Sequence, residues 1–534
     1  MMEERTVLMR VKKRFVLSTA LSLCALLTCL HLGPARAQNL DKSAWPTEEW
    51  LTSAPEEQGM DSSALAKLVG YGGSHAFDSL LVVRHGRIVT EAYYAPYTAD
   101  LPHEIMSSTK AVTGTLVGMV YKDGLLDRLD HPMLDFFADR HVANVDDRKK
   151  AITIQNLLDM TSGLDWDQGF EYGGKEQSRI DLERSSNWTQ FVLDRPMAHT
   201  PGELFNYSNG DSDLVSAIIT KLTGKLGEDY AREKLFGPLG ITDWHWDRDP
   251  QGLTIGDGML TLLPRDMAKI GYLYLRHGEW EGKRLLPPGW AEVLSHKTVN
   301  MHASDDPNQS YSNFFWVFPE RHVYMAVGIR GQLIAVFPDL DIVVVVTARK
   351  FVRFGDLIDG VSAAVKPEST LPPNPNAAEL LAKAVNDVAV EKPTTVGPTP
   401  EIAAVISGKT YKFPDNELGL RSFTLFLTDP RPHFEFEIYS NYPTGPSGAY
   451  EVPIGLDGLY RKGSPWLFNP NPGKTPAAKG TWLNGQTFVI DTQDLGYGEQ
   501  RELFLSFSGE KLNFRYTTTD RPDLRVSVDG EQGD

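Results

Sequence analysis

The 534-residue chain carries 53 Lys and Arg against 70 Asp and Glu, a net charge of −17, and this acidic balance argues against nucleic acids and anionic membranes as partners. With 41% hydrophobic and 23% charged residues the composition is globular, which excludes wholesale disorder. The length exceeds one ordinary core, so two domains are expected.

The first segment is an export signal in pattern. Arg10, Lys12, Lys13 and Arg14 precede an apolar run at 15–30, and Pro34-Ala35-Arg36-Ala37 ends in a small-x-small step, which predicts a signal peptide over residues 1–37 cut after Ala37. The run is short of a full bilayer span, so no membrane span is expected after cleavage, and the location is periplasmic or secreted. Cys24 and Cys29 both fall in this leader, leaving the mature chain without disulfides, thiol chemistry or cysteine-bound metal. Thr28 before Cys29 is a poor setting for lipidation. The leader's six basic and two acidic residues bring the remainder from −17 to near −21, a solubility feature.

Along the chain, apolar runs at 79–83 and 87–93 flank Arg84-His85-Gly86 and predict a hairpin. A helix is expected over Ile105-Met106-Ser107-Ser108-Thr109-Lys110-Ala111-Val112 and onward to Asp123-Gly124. A short helix at 154–160 stops at Thr161-Ser162-Gly163, and residues 165–200, rich in Trp, Tyr, Gly and charge, read as a long loop bordering a pocket. After Pro201-Gly202-Glu203 and Tyr207-Ser208-Asn209-Gly210, an amphipathic helix is expected from about 213 to 222. Runs at 323–328, 332–337 and 342–347 are strand-like, so strands at both ends of the domain should close one mixed sheet with helices between. The stretch 366–400, with its prolines around a short helix, reads as a linker, and residues 401–534 as a small all-β domain of short alternating strands.

Within the 105–120 helix, Ser107 and Lys110 fall on one face, three residues apart, bringing an amine within reach of a hydroxyl. A neutral amine can take the serine proton and make it a nucleophile, and the amides of a helix start stabilise an oxyanion there. The spacing alone is weak: Ser508-Gly509-Glu510-Lys511 also fits, but between alternating runs it reads as a hairpin turn that cannot stack the two side chains. Tyr207, ninety-seven residues after Lys110, offers a hydroxyl to share protons with the pair, and Asn209 an amide to hold the lysine or a substrate carbonyl. A second triplet, Tyr439-Ser440-Asn441, lacks a helical serine–lysine pair upstream.

Taken in order, Ser107-Ser108-Thr109-Lys110, Thr161-Ser162-Gly163-Leu164, Pro201-Gly202-Glu203, Tyr207-Ser208-Asn209, Gly256-Asp257-Gly258-Met259 and Pro264-Arg265-Asp266-Met267-Ala268 resemble the serine hydrolases related to class C β-lactamases and penicillin-binding proteins. The resemblance covers about residues 50–350. Gly328-Ile329-Arg330-Gly331-Gln332 is most similar to the branch of 6-aminohexanoate-dimer hydrolases and their esterase relatives. It implies an α/β (α+β) fold, a β-lactamase-like mixed sheet flanked by helices over 41–365, followed by a barrel- or lipocalin-like all-β domain. It implies Ser107 as the acylated nucleophile, Lys110 as base, Tyr207 as acid/base partner, Asn209 as a positioning residue, and an oxyanion hole from the Ser107 and Ile329 amides beside Gly328. In place of the family's lysine-threonine-glycine triplet this chain has Ala326-Val327-Gly328, so a β-lactam carboxylate loses its usual cation unless Arg330 reaches it. Ester or amide hydrolysis therefore ranks above penicillin chemistry.

Other signals are weaker. Asp211 and Asp213 read as helix caps, and His245, Asp247 and Asp249 lack a correctly spaced second histidine pair for a metal. His322 reads as structural. No G-x-S-x-G elbow or phosphate-binding glycine loop occurs, and neither cofactor nor metal is expected. The expected activity is ester or amide hydrolysis of a small-molecule or short-peptide substrate through an acyl-enzyme. A peptidase of small linear or D-containing peptides would use the same residues, and a catalytically silent scaffold would fail to react with a serine-directed probe. The all-β domain is expected to contribute no catalytic residue and to shape the cleft mouth.

Overall fold

Phe77–Arg84 is buried at every residue and pairs antiparallel with Arg87–Tyr93, the tight turn between them made by His85 and Gly86 at positive φ. This hairpin seeds the main sheet. The computed structural model describes residues 45–169, 175, 177–296, 298–301, 308–439, 447–464, 475–518 and 526–533; the expected signal peptide with Cys24 and Cys29 lies outside them, as do Ser440 and Asn441.

The main sheet has nine strands: β1 (Leu51–Thr52), β2 (Phe77–Arg84), β3 (Arg87–Tyr93), β4 (Val299–Asn300), β5 (Ser310–Ser312), β6 (Phe315–Phe318), β7 (Val323–Gly328), β8 (Gln332–Phe337) and β9 (Ile342–Ala348). Their order across the sheet is β1-β3-β2-β9-β8-β7-β6-β5-β4. β1 runs parallel to β3, while β9, a Val-rich and fully buried strand, pairs antiparallel with β2 and so joins the two ends of the domain. Six longer helices matter here: α1 (Ser62–Ser74), α2 (Thr109–Lys122), α3 (Asn209–Thr223), α4 (Pro264–Leu275), α5 (Phe354–Ala364) and α6 (Pro375–Ala389).

Both faces of the sheet are covered, which is why β2, β8 and β9 read as continuous apolar runs. On one face α1 and α5 pack over Leu80, Val82, Leu333 and Val344; on the other α4 lies over Val343 and Ile334, with α2 and α3 beyond. Gly271 lets α4 sit close, since a Cβ there would come within 2.6 Å of Val343 and 2.8 Å of Ile334. Each such fully buried side chain contributes about 1.5–3 kcal/mol.

Three stretches differ from the sequence expectation. The 165–200 loop contains helices Gln177–Arg184 and Trp188–Leu193, the second capped by the Asn187 side chain, which accepts from the Gln190 amide. Both are short and bury only a few side chains, so their apolar period is faint. The helix expected within the Pro-rich stretch, α6, is 15 residues long rather than short, capped by Asn374 and packed on α1 through Ala377 and Leu381. The segment after 400 opens with a short helix, Ile402–Ile406, before its strands begin.

The second sheet has ten strands: β10 (Thr410–Lys412), β11 (Leu420–Phe426), β12 (His433–Tyr439), β13 (Ser447–Pro453), β14 (Arg461–Lys462), β15 (Thr475–Trp482), β16 (Thr487–Leu495), β17 (Glu499–Ser508), β18 (Lys511–Thr518) and β19 (Val526–Gln532). Their order is β13-β12-β11-β10-β19-β18-β17-β16-β15-β14, an antiparallel sheet curled into a nearly closed barrel around Phe423, Phe434, Ile490, Leu505 and Phe514. A bridge between Gly455 and Lys479 brings its ends together. Ser508 and Lys511 face each other across the β17–β18 turn, so the second serine–lysine spacing is a hairpin end. No described helix is long and apolar enough to cross a membrane.

Candidate active site

Ser107 lies in a 3-10 turn, Met106–Ser108, directly before α2, rather than inside the helix. The turn still stacks positions three apart, and Lys110 Nζ donates to Ser107 Oγ at 3.1 Å. The same ammonium or amine nitrogen donates to the Asp257 carbonyl at 2.8 Å and stands 5.0 Å from the centre of the Tyr207 ring. Lys110 is fully buried, Tyr207 is buried, and Ser107 keeps partial exposure, so the hydroxyl is the solvent-facing member of the group.

The Asp257 carbonyl is held in place by its neighbour. Gly256 donates its amide to Asp213 Oδ1 at 2.9 Å, and its carbonyl accepts from Thr113 Oγ1 at 2.9 Å, one turn along α2 from Lys110. Gly256 must be glycine: a Cβ would lie 2.1 Å from the Ser212 carbonyl. Asp213 is thus not a helix cap. Burial, then repulsion from Asp257, pushes its carboxyl well above the usual range, which favours the neutral acid at this position.

Nor is Asp211 the cap of α3. That role belongs to Ser208, whose hydroxyl accepts from the Asp211 amide at 3.0 Å, which is why the helix starts at Asn209, earlier than its apolar period suggests. Asp211 Oδ1 instead accepts from Ser162 at 2.9 Å, tying the Thr161-Ser162-Gly163 turn under Tyr207. Asn209 is buried in the first turn of α3, its amide donating to Gln168 and its Oδ1 lacking a protein partner among the described residues.

Burial pushes the Asp211 carboxyl up to about 7, against the pull of the Ser162 and Ser208 hydrogen bonds. A raised folded-state pKa means the fold favours the neutral acid. The stability cost of ionisation is absent below about pH 4 and grows as pH rises to about 7. Asp211→Asn should therefore gain stability relative to wild type as pH goes from 5 to 8, by at most about 3 kcal/mol. Thermal melts of both proteins at the two pH values check this; a pH-independent difference contradicts it.

The opposite wall is the end of β7. Gly328 faces the nucleophile segment so closely that a Cβ would lie 2.5 Å from the Ile105 carbonyl and 2.9 Å from Met106 Cβ. Ser108 Oγ donates to the Gln332 carbonyl at 2.8 Å, fastening the Ser107 turn to the start of β8. Ile329 begins the turn after Gly328 and is 58% exposed. β7 lies between β6 and β8. Arg330 does not point along the cleft as a free carboxylate partner: its Nη1 donates to the Tyr497 carbonyl at 2.9 Å and its guanidinium lies 4.8 Å from the Tyr497 ring centre.

The remaining candidates resolve simply. His245 pairs with Asp247 Oδ1 at 2.6 Å, and Asp249 closes a turn by accepting from the Gln251 and Leu253 amides. His322 sits at positive φ and pairs with Asp339 at 2.7 Å, linking two turns of the sheet. His433, Glu435 and Glu451 could bring ligand atoms within 4.8 Å of one another, but they are surface groups of β12 and β13 and belong to the second sheet.

A partly exposed serine beside a buried lysine and a buried tyrosine, directly before a helix, is an arrangement in which a base can activate a hydroxyl nucleophile. The Beta-lactamase family model matches residues 65–364, and the chain belongs to that family. It is 25% identical over 287 residues to the 6-aminohexanoate-dimer hydrolase of Paenarthrobacter ureafaciens, covering 50% of this chain and 71% of that protein. It is 28% identical over 176 residues to Protein flp of Staphylococcus aureus (strain COL), covering 31% of this chain and 33% of that one. Among solved structures, EstCE1, described as a hydrolase with promiscuous acyltransferase activity, aligns at a TM-score of 0.46 and 16% identity, covering 61% of this chain and 99% of its own.

Two elements of the site escape sequence reading. The Asp257 carbonyl has no side-chain signature, although the Gly-Asp-Gly step around it marks a turn. The Tyr497 turn is 167 residues from Arg330.

Proposed function

We propose that the protein is an exported esterase or amidase that transfers the acyl group of its substrate to Ser107 and then to water. The observation that carries this reading is the fully buried Lys110 Nζ, 3.1 Å from Ser107 Oγ and 2.8 Å from a main-chain carbonyl. Both acceptors are uncharged, so a neutral amine can turn its lone pair to the hydroxyl. Lys110 takes the Ser107 proton as Oγ bonds to the substrate carbonyl carbon. The negative charge that develops on the carbonyl oxygen falls to the Ser107 and Ile329 amides. As the bond to the leaving group breaks, the proton passes from Lys110, directly or through Tyr207, to the departing oxygen or nitrogen. Water then repeats the sequence on the acyl-enzyme and releases the acid.

Apolar surface around the site favours an apolar substrate. Phe351, 61% exposed, contacts Phe354 at 5.2 Å between ring centres, Phe354 contacts Trp316 at 5.8 Å, and Trp316 contacts Tyr207 at 6.5 Å. This row of rings leads from the surface to the catalytic tyrosine, while the one cation after Gly328 is engaged by the second sheet. Activated esters of short fatty acids are therefore expected to be cleaved at least ~100-fold faster, per kcat/KM, than a chromogenic cephalosporin, the discrimination expected where a charged group finds no partner. A cephalosporin rate equal to the ester rate contradicts the preference. The experiment that tests the function is fluorophosphonate labelling of the mature protein with peptide mapping to Ser107, alongside a panel of esters, amides and D-peptides.

A further inference from the structure

Two residues beside the proposed oxyanion amides are held in backbone conformations that side chains disfavour. Met106, immediately before Ser107, has φ 50°, and Arg330, immediately after Ile329, has φ 62°. Left-handed conformations at such residues persist only where the surroundings fix them. Part of that fixing comes from the catalytic domain, through Gly328 against Ile105 and Ser108 against Gln332.

The rest comes from a single turn of the other domain. Residues 496–498 join β16 to β17, with Gly496 and Gly498 at φ 84° and 75°. The Gly496 carbonyl accepts from the Glu104 amide at 2.7 Å, three residues before the nucleophile. The next carbonyl, that of Tyr497, accepts from Arg330, and the Tyr497 ring covers the same guanidinium. Gly498 passes so near that a Cβ would lie 3.3 Å from both Arg330 Cδ and the Ala348 carbonyl. Behind the turn, Leu495 is fully buried with Tyr97, Leu101 and Ala477, and the Tyr97 hydroxyl donates to Gln493 at 3.3 Å. The turn is therefore rooted on both sides of the domain boundary.

We propose that the turn at residues 496–498 is a positioning element of the catalytic centre: by gripping Glu104 and Arg330 at once it sets the spacing of the Ser107 and Ile329 segments that form the oxyanion hole. The inference rests on the assignment of those two amides. It makes the second domain a part of the machine that stabilises the transition state, although it donates no group to the substrate. Tyr497 and Arg330 are positioning residues.

The test uses the full chain carrying Tyr497→Ala, Tyr497→Phe or Arg330→Met. Tyr497→Ala is expected to speed amide hydrogen exchange by about tenfold or more in both the 104–107 and the 328–331 peptides, since local opening governs exchange. It is also expected to lower kcat on p-nitrophenyl acetate by about 10- to 100-fold, the range of a lost oxyanion donor, with KM within about twofold of wild type. The main-chain carbonyls persist in every variant, so Tyr497→Ala removes the ring over Arg330 and Tyr497→Phe, which keeps that ring, should restore both. Arg330→Met leaves the packing of the second sheet intact and should reproduce the Tyr497→Ala result, so a folding defect in one variant does not hide the outcome. Wild-type exchange in both peptides together with wild-type kcat in folded Tyr497→Ala would overturn the proposal. Accelerated exchange in a protein whose wild type is never labelled at Ser107 would uphold the coupling and refute the hydrolase reading instead.

Discussion

Ser107→Ala is expected to lower turnover of an activated ester by at least ~10⁴-fold while the protein stays folded, because a nucleophile acting as part of a unit removes nearly the whole covalent route when deleted. The hydroxyl is partly exposed and its recorded partner is Lys110 Nζ, so its loss removes one hydrogen bond and almost no packing. The melting temperature should move by no more than a few degrees, as for most substitutions that leave no cavity. Ser508→Ala, at the equivalent spacing from Lys511 in a hairpin, should be indistinguishable from wild type. Steady-state kinetics and thermal melts on the three proteins check this. Residual activity of Ser107→Ala above a few per cent would move the nucleophile elsewhere.

The second large effect is at Lys110. Lys110→Met keeps most of the buried volume but supplies no basic nitrogen, and should cost about 10³-fold or more in kcat, in the upper part of the 10²–10⁴ range that positioned proton transfer contributes. Lys110→Arg should also be inactive, since a guanidinium stays protonated near neutrality and cannot accept the serine proton. In either variant the Asp257 carbonyl loses its lysine partner, so a loss of stability of about 1–3 kcal/mol is expected alongside the catalytic loss. Near-wild-type rates in Lys110→Met would exclude the lysine as base.

Much of this centre is legible in the sequence because it is local. Ser107 and Lys110 are three residues apart, and a helical run after them fixes their stacking. The hairpin of β2 and β3 follows from two apolar runs around a glycine turn, and β9 from a run of valines buried on both faces. What is not legible is carried by main-chain atoms or by contacts remote in sequence. The Asp257 carbonyl that steadies Lys110, the Asp211–Ser162 link, and the Gly496 carbonyl on Glu104 join segments 49 or more residues apart. Asp211 and Asp213 look like caps from their place in the chain because acidic residues near a helix start usually serve that purpose. Only the fold shows that Ser208 has taken the cap and that both carboxyls are buried. The 366–400 stretch shows the same limit: its prolines announce a linker, whereas Ala377 and Leu381 bury α6 against α1.

The central claim, that Ser107 is acylated during turnover, is tested most directly by mixing the purified protein with p-nitrophenyl butyrate, quenching in acid within milliseconds and mapping the digest by mass spectrometry. The account predicts one butyryl group on the peptide containing Ser107, formed at the rate of the p-nitrophenol burst and absent from Ser107→Ala. A burst of p-nitrophenol with Ser107 unmodified, or a butyryl group on another residue that forms and decays at the turnover rate, would contradict it.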